Sequence, residues 1–402
     1  MGHRRHKLFR QHLLKQLTRA TICGSGGQSQ ARVLESWTKR AIYRTTTIPG
    51  RPISRDPLPC STPEVTPMFH SRIFTAWFLI ALSVWGWLFS TYCGWDFLQA
   101  HWHYPLIMVL GAFVAGLTPE GGGAVAFPVL NVFFDIDRVL ARDFSLMIQS
   151  VGMTSASIFI LTQPDTDRRT YRPLVFMLPV VCAGFVLGMA TLQNLPVYLI
   201  QALFLSMITA FAFSYAWGDH RGTRESLQLH CRRDYVFLGI ILVLGGMCAS
   251  LFGTGADILL YSLVVTRFRM TEKTATRMSI IAMAATSLFG FAYRHFVESD
   301  LQVDQYKVWI CAYPVVLFMA PFGAYILSKI HVEWMIKGIV VLNFAQLAYF
   351  NINRPSAEKF VASLVFMGIL LFLFMRSFAK LAAKVPDPHA PINVLNEQQA
   401  AS

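Results

Sequence analysis

From residue 72 onward the chain alternates long apolar runs with short charged loops. Runs of about 20 residues occupy roughly 73–93, 144–163, 173–192, 197–217, 278–293, 308–328, 334–350 and 360–375. Each is near the length an α-helix needs to cross a bilayer. Two other runs, 105–134 and 236–266, are about 30 residues long and are broken by glycines near the middle. The breaks read Thr118-Pro119-Glu120-Gly121-Gly122-Gly123 and Gly253-Thr254-Gly255-Ala256-Asp257. Each broken run is either one interrupted helix that crosses or a hairpin that enters and returns on the same side.

The distribution of Lys and Arg separates these two cases. With both broken runs crossing, the 22 cations beyond residue 72 divide evenly between the two sides. With both as hairpins, 16 fall on the cytoplasmic side and 6 outside, the bias that cytoplasmic loops carry. The hairpin arrangement is therefore expected, with both chain ends and the loop at 218–234 cytoplasmic. It makes the second half inverted relative to the first, an architecture that transporters use. A duplication is visible in residues. At an offset of 134, Gly111, Leu117, Gly121, Ala141 and Ser145 fall on Gly245, Leu251, Gly255, Ala275 and Ser279, and one residue later Pro179-Val180-Val181 with Gly188 matches Pro314-Val315-Val316 with Gly323.

The predicted fold is all-α and polytopic, an inverted-topology repeat. Each half is a glycine-broken re-entrant hairpin plus three transmembrane helices, with an extra first and last helix. The transmembrane domain covers 73–376, with one repeat at about 105–217 and the other at about 236–350. A basic arm, 1–72, precedes it and a polar cytoplasmic tail, 377–402, follows.

Composition agrees. Hydrophobic residues make up 54% of the chain and charged ones 14%, against roughly 25% charged in soluble domains. The net charge of +13 owes much to the arm, which holds 13 of the 35 Lys and Arg. No nucleic-acid-binding pattern accompanies it, so nucleic acid is not an expected partner. The arm suits an organellar transit peptide, a membrane-surface segment, or sequence ahead of a start at Met68. A cell inner membrane is the default location, and an organellar membrane follows if the arm is a transit peptide. Seven scattered cysteines without C-x-x-C indicate neither a disulfide framework nor a zinc site. His101 and His103 around Trp102 read as an interfacial aromatic cluster rather than a metal clip. Nothing suggests a cofactor. H-E-x-x-H, G-x-S-x-G and paired aspartates within a span are all missing, which argues against an enzyme.

The breaks carry the candidate chemistry. Glycines let hairpin arms approach closely and adopt positive φ. The alternative is that they only allow tight packing, as expected for Gly184 and Gly188. If the tips meet near the midplane, the N–H groups of Gly122 to Val125 and of Ala256 to Leu259 face a cavity, and helix N-termini attract anions. Gly121, Gly122, Gly123, Gly253, Thr254 and Gly255 are thus substrate-binding candidates. Ser145, Gln149 and Ser279, from the spans that follow the hairpins, join them, although a Ser or Thr in a span often only bonds its own helix. Glu120 and Asp257 are the acids inside the breaks and are candidates for coupling. Glu120 either carries the proton that accompanies the anion or accepts hydrogen bonds from the N–H groups of its own tip.

Gly116-Leu117, Gly121-Gly122-Gly123, Pro128-Val129-Leu130 and then Ala141 leading a Ser-rich span resemble the sulfite exporter (TauE/SafE) family, also called toluene-sulfonate uptake permeases. The second half repeats the pattern more weakly, and the resemblance covers about 73–376. Thr118-Pro119-Glu120 and Gly-Thr-Gly-Ala-Asp depart from the usual glycine-rich stretches. The resemblance implies transport of sulfite, another small sulfur oxyanion or an organosulfonate, driven by an ion gradient. The residues alone point to a small anion and alternating access, with an anion channel or a carrier of another small organic acid as alternatives. The expected partners are that anion and the lipid bilayer; a homodimer stays open.

Overall fold

The computed structural model describes residues 68–382, apart from 70, 165, 218–223, 228, 230–231, 330–331 and 354. The chain divides into two units, Met1–Val65 and Thr66–Ser402. The choice between readings of the basic arm lies outside the described residues.

Among the described residues thirteen α-helices follow one another: α1 (Arg72–Tyr92), α2 (Trp95–Ala100), α3 (His103–Leu117), α4 (Gly123–Pro128), α5 (Arg138–Thr162), α6 (Leu174–Thr191), α7 (Val197–Trp217), α8 (Arg232–Phe252), α9 (Ala256–Thr266), α10 (Glu272–Tyr293), α11 (Val303–Leu327), α12 (Val332–Ile352) and α13 (Ala357–Ala382). Wide π turns extend α4 through Val129–Phe133 and α10 through Arg294–Glu298. Among the described residues there is no strand, only an isolated bridge between Arg224 and Met270.

Among the described residues eight helices are long and apolar enough to cross a membrane. Seven coincide with expected spans. The eighth is α8, the first arm of the second break, which at 21 residues is as long as a full span and longer than α3 with 15. The expected span at 334–350 is α12. α13 runs on to Ala382, into residues assigned to the tail.

Helix starts follow local chemistry. Asp137 caps α5 by accepting from the N–H groups of Val139 (2.8 Å) and Leu140 (3.3 Å), which begins the helix several residues before its apolar run. α5 is buried along most of its length, whereas α1 and α13 are mostly exposed. Their outer faces carry Ile73, Leu79, Ile80 and Trp87, and Phe360, Leu364, Val365 and Phe372. Water does not tolerate apolar surface of that extent; a bilayer does.

The loops gather at two ends of the bundle. At one end the Arg224 N–H donates to the Arg269 carbonyl (3.0 Å) and the Thr271 N–H to the Arg224 carbonyl (2.9 Å). There Arg277 also reaches Thr166 Oγ1 (3.4 Å) and Lys273 the Ser328 carbonyl (3.3 Å). At the other end His103 stacks on Phe134 with ring centroids 5.5 Å apart. Arg294 pairs with Asp143 (2.8 Å), and Arg138 donates to the Gln193 carbonyl (3.2 Å). Cys93 and Cys311, both free thiols, bring their Sγ atoms to 3.6 Å there, a proximity that sequence spacing does not show. Residues 103–134 therefore begin and end at one end of the bundle, and the segment around α8 and α9 begins and ends at the other.

Glycines set the closest crossings. A Cβ on Gly116 of α3 would overlap the Ala320 carbonyl of α11, and one on Gly184 of α6 would overlap that of Val243 on α8. Thus α3 packs on α11 while α8 packs on α6, and α5 lies against α10.

Candidate functional site

The two breaks fold back and meet. Val125 of α4 lies beside Gly111 of α3, and Ala256 at the start of α9 beside Gly245 of α8. Gly121, Gly253 and Gly255 adopt φ of +70°, +75° and +114°, conformations that side-chain-bearing residues rarely take. Space is short as well. A Cβ on Gly121 would overlap Asp257 Oδ2 and lie 2.9 Å from Thr254 Oγ1 and 3.1 Å from Gln149 Oε1. A Cβ on Gly123 would come within 2.6 Å of Thr254 Cβ and 2.7 Å of Ser145 Oγ. A Cβ on Gly253 would come within 2.7 Å of Ser145 Cβ and the Arg142 carbonyl. Gly122 has more room, with Ala115 Cβ at 3.4 Å.

Gln149, buried in α5, ties the second tip to that helix. Its amide nitrogen donates to Gly253 O (2.9 Å), Ser145 Oγ (2.8 Å) and Ser145 O (3.1 Å). With the nitrogen so occupied, Gln149 Oε1 faces Gly121 without a partner among the described residues. Thr254 Oγ1 reaches the Glu120 carbonyl (3.3 Å) and the Asp257 carboxylate (3.4 Å). Of the residues picked from sequence, Glu120, Gly121, Gly122, Gly123, Ser145, Gln149, Gly253, Thr254, Gly255 and Asp257 thus come together. Ser279 does not join them through a hydrogen bond: its hydroxyl donates to Thr276 O (2.9 Å) of its own helix.

The N-terminal N–H groups are less free than expected. Asp257 Oδ1 accepts from Gly255 (2.9 Å) and Ile258 (3.0 Å), and the Leu259 N–H donates to Gly255 O (3.3 Å). On the first tip Ala124 and Val125 donate to Gly121 O (3.3 Å) and Gly122 O (3.2 Å). A carboxylate supplied by the second tip itself satisfies the helix start that an anion would otherwise occupy.

The two acids differ. Asp257 is the one that accepts from its own tip, the arrangement considered for Glu120. Glu120 instead turns to α12, where Asn343 Nδ2 donates to its Oε1 (2.9 Å), and its Oε2 has no partner among the described residues.

Two groups were missed. Asn343 stands out in its span as a polar residue in an apolar run, a signal that was available. The other is an ionic cluster at the bundle end that holds Gln193. Arg142 pairs with Asp143 (2.8 Å), Arg294 reaches both Asp143 oxygens (3.0 and 2.8 Å) and Asp300 (3.2 Å), and it also pairs with Glu298. Arg142 further donates to Gln193 Oε1 (2.7 Å). Arg142, Asp143 and Arg294 are buried. His101 and His103 sit among Phe97, Tyr104 and Phe134. Among the described residues no group of three His, Cys, Asp or Glu could hold a metal ion.

Apolar helices with lipid-suited outer faces around converging glycine-broken hairpins define a multi-pass membrane protein. The family model for sulfite exporter TauE/SafE matches residues 104–350, more than half of the chain and all of the site. The chain belongs to that family and is a membrane transporter. α1 and α13 flank the matched region. Searches of curated proteins and of solved structures find no match.

Proposed function

We propose that the chain moves a small sulfur oxyanion or organosulfonate across the membrane by alternating access, with the substrate seated where the two tips meet Gln149 and Ser145. The convergence of both glycine breaks on one buried point carries this reading. Irregular backbone at membrane depth is tolerated where protein or a water-filled cavity satisfies it, and here Thr254 of the second tip satisfies the Glu120 carbonyl of the first while Gln149 satisfies the Gly253 carbonyl.

Matching contacts in the two halves support the alternation. The pairing of α3 with α11 answers that of α8 with α6, the contacts of α4 with α5 answer those of α9 with α10, and α5 meets its counterpart α10. Two such halves rocking about the α5–α10 contact would open the tips to one side and then the other. The ionic cluster between Asp143 of α5 and Arg294 of α10 lies on that contact at one end, where it would separate and re-form. In this reading the loops at 164–172, 218–234 and 267–277 are cytoplasmic, as are both chain ends, and the membrane is a cell inner membrane.

The family match favours sulfur anions; the tips themselves select for size and hydrogen bonding. Trans-stimulation separates a carrier from a channel. Proteoliposomes loaded with unlabelled sulfite should take up labelled sulfite faster than empty ones. Equal uptake with and without internal substrate would favour a channel.

A further inference from the structure

Glu120 turns away from the other tip and onto α12, into a second polar region that the anion seat does not use. Asn343 is fully buried, and Gln346, one turn further along α12, is 2% exposed. Residues three apart on a helix share a face. The Asn343 nitrogen donates to Glu120 Oε1 (2.9 Å) and to the Ile208 carbonyl (3.1 Å). Two acceptors on that side fix the orientation of the amide. They leave Asn343 Oδ1 without a partner among the described residues, as are Glu120 Oε2, both amide atoms of Gln346 and Ser363 Oγ. The Ser363 carbonyl accepts from Ser206 Oγ of α7 (3.2 Å), which places this hydroxyl's residue at the same α7, α12 and α13 interface.

Buried polar atoms in native proteins are nearly all hydrogen-bonded, and a cluster of exceptions points to something that satisfies them. Here a carboxylate and two amides present oxygens, which are acceptors. The elements around Glu120 offer Thr254 and Asp257 from the second tip, Asn343 from α12 and the Ile208–Thr209 turn of α7. Asp257 is the titratable side chain among them, and no Lys, Arg or His of the described residues pairs with Glu120. One negative charge with neutral oxygen ligands suits a single positive charge.

We propose that Glu120, Asn343 and Gln346 form the binding site of a small monovalent cation, hydronium or sodium, that accompanies the anion. The coupling role rests on the transport reading above; the cation site does not. α12 thereby supplies ligands that lie outside both glycine breaks. Gln346 tests the assignment best because its amide makes no hydrogen bond that a substitution would remove.

The experiment uses the purified full chain. Sulfite flux in proteoliposomes is measured against external sodium at equal pH, and against pH without sodium. The wild type should respond to one of the two, which identifies the cation. In Gln346→Met the half-saturating cation concentration should rise by about tenfold or more. Flux that responds to neither cation, or an unchanged half-saturation in Gln346→Met, would overturn the proposal. If the wild type moves no sulfur anion, the transport reading fails, and the site is then read by binding alone. Labelled sodium, and proton release on raising the pH, are each followed in detergent for the wild type, Glu120→Gln and Gln346→Met. Binding by the wild type that both variants weaken supports the site. Absence of binding, or equal binding by all three, refutes it.

Discussion

At the scale of single residues, neighbouring glycines in the first break carry different constraints. Gly121 needs positive φ and also has no room for a Cβ beside Asp257 Oδ2, whereas Gly122 has an ordinary φ of −68° and an added Cβ there would meet Ala115 Cβ at 3.4 Å. Gly121→Ala should therefore slow transport at least about tenfold, with roughly 1–3 kcal/mol of local strain. Gly122→Ala should transport, and Gly122→Leu should not, because the longer side chain must displace Ala115 or Gln149. Flux normalised to inserted protein checks all three. Glu120→Gln keeps shape and the Asn343 contact but cannot exchange a proton. If hydronium is the coupling cation, its flux should no longer respond to a pH gradient, and full pH-driven flux in this variant would exclude a proton role for Glu120. The glycines and both acids were legible because a break in an apolar run is a local pattern. Asn343 was not tied to Glu120, since 223 residues separate them and only the packing of α12 joins them. That Asp257 and Glu120 divide two roles also depends on where each carboxylate turns, which no spacing records.

At the scale of elements, the apolar runs placed the helices, but hydropathy misplaced several boundaries. Arg138, Arg142 and Asp143 lie ahead of the apolar run at 144–163, where their charges end it. The structure begins α5 at Arg138, capped by Asp137, and buries the charges because Arg294 crosses from α10 to neutralise Asp143. Asp143→Leu would leave Arg142 buried without a carboxylate and Arg294 with Glu298 and Asp300 alone. Breaking a buried pair from one side costs about 3–5 kcal/mol, so this variant should lose thermal stability in detergent or fail to accumulate. Gly184→Leu should also harm folding, for a different reason: the new side chain meets the Val243 backbone of α8, which cannot move aside cheaply. Gly184 was expected to serve packing alone, and its place on the α6–α8 crossing is that of a packing residue. The full length of α8 was not foreseen. Its charged start lies ahead of the apolar run, and helices continue past the point where hydropathy falls.

At the scale of the whole molecule, the count of cations favours the hairpin arrangement, and the described loops gather at two ends of the bundle. His103 beside Phe134 and Arg224 beside Arg269 each require a broken segment that returns to where it began. What sequence alone could not supply is the meeting of the two tips, because nothing in either break specifies its distance from the other. A single cysteine at Ser226, in the loop proposed as cytoplasmic, should resist an impermeant thiol reagent in intact cells and react after permeabilisation. Ready labelling from outside would reverse the topology. The central claim is that the joined tips seat a small sulfur anion, and equilibrium exchange of labelled sulfite in proteoliposomes tests it most directly. The wild-type chain should give saturable exchange that thiosulfate or a sulfonate inhibits and acetate does not. Gly121→Ala, inserted to the same level, should exchange at least about tenfold more slowly, roughly 1.4 kcal/mol. Wild-type exchange at the protein-free rate, or undiminished exchange in Gly121→Ala, would contradict the account.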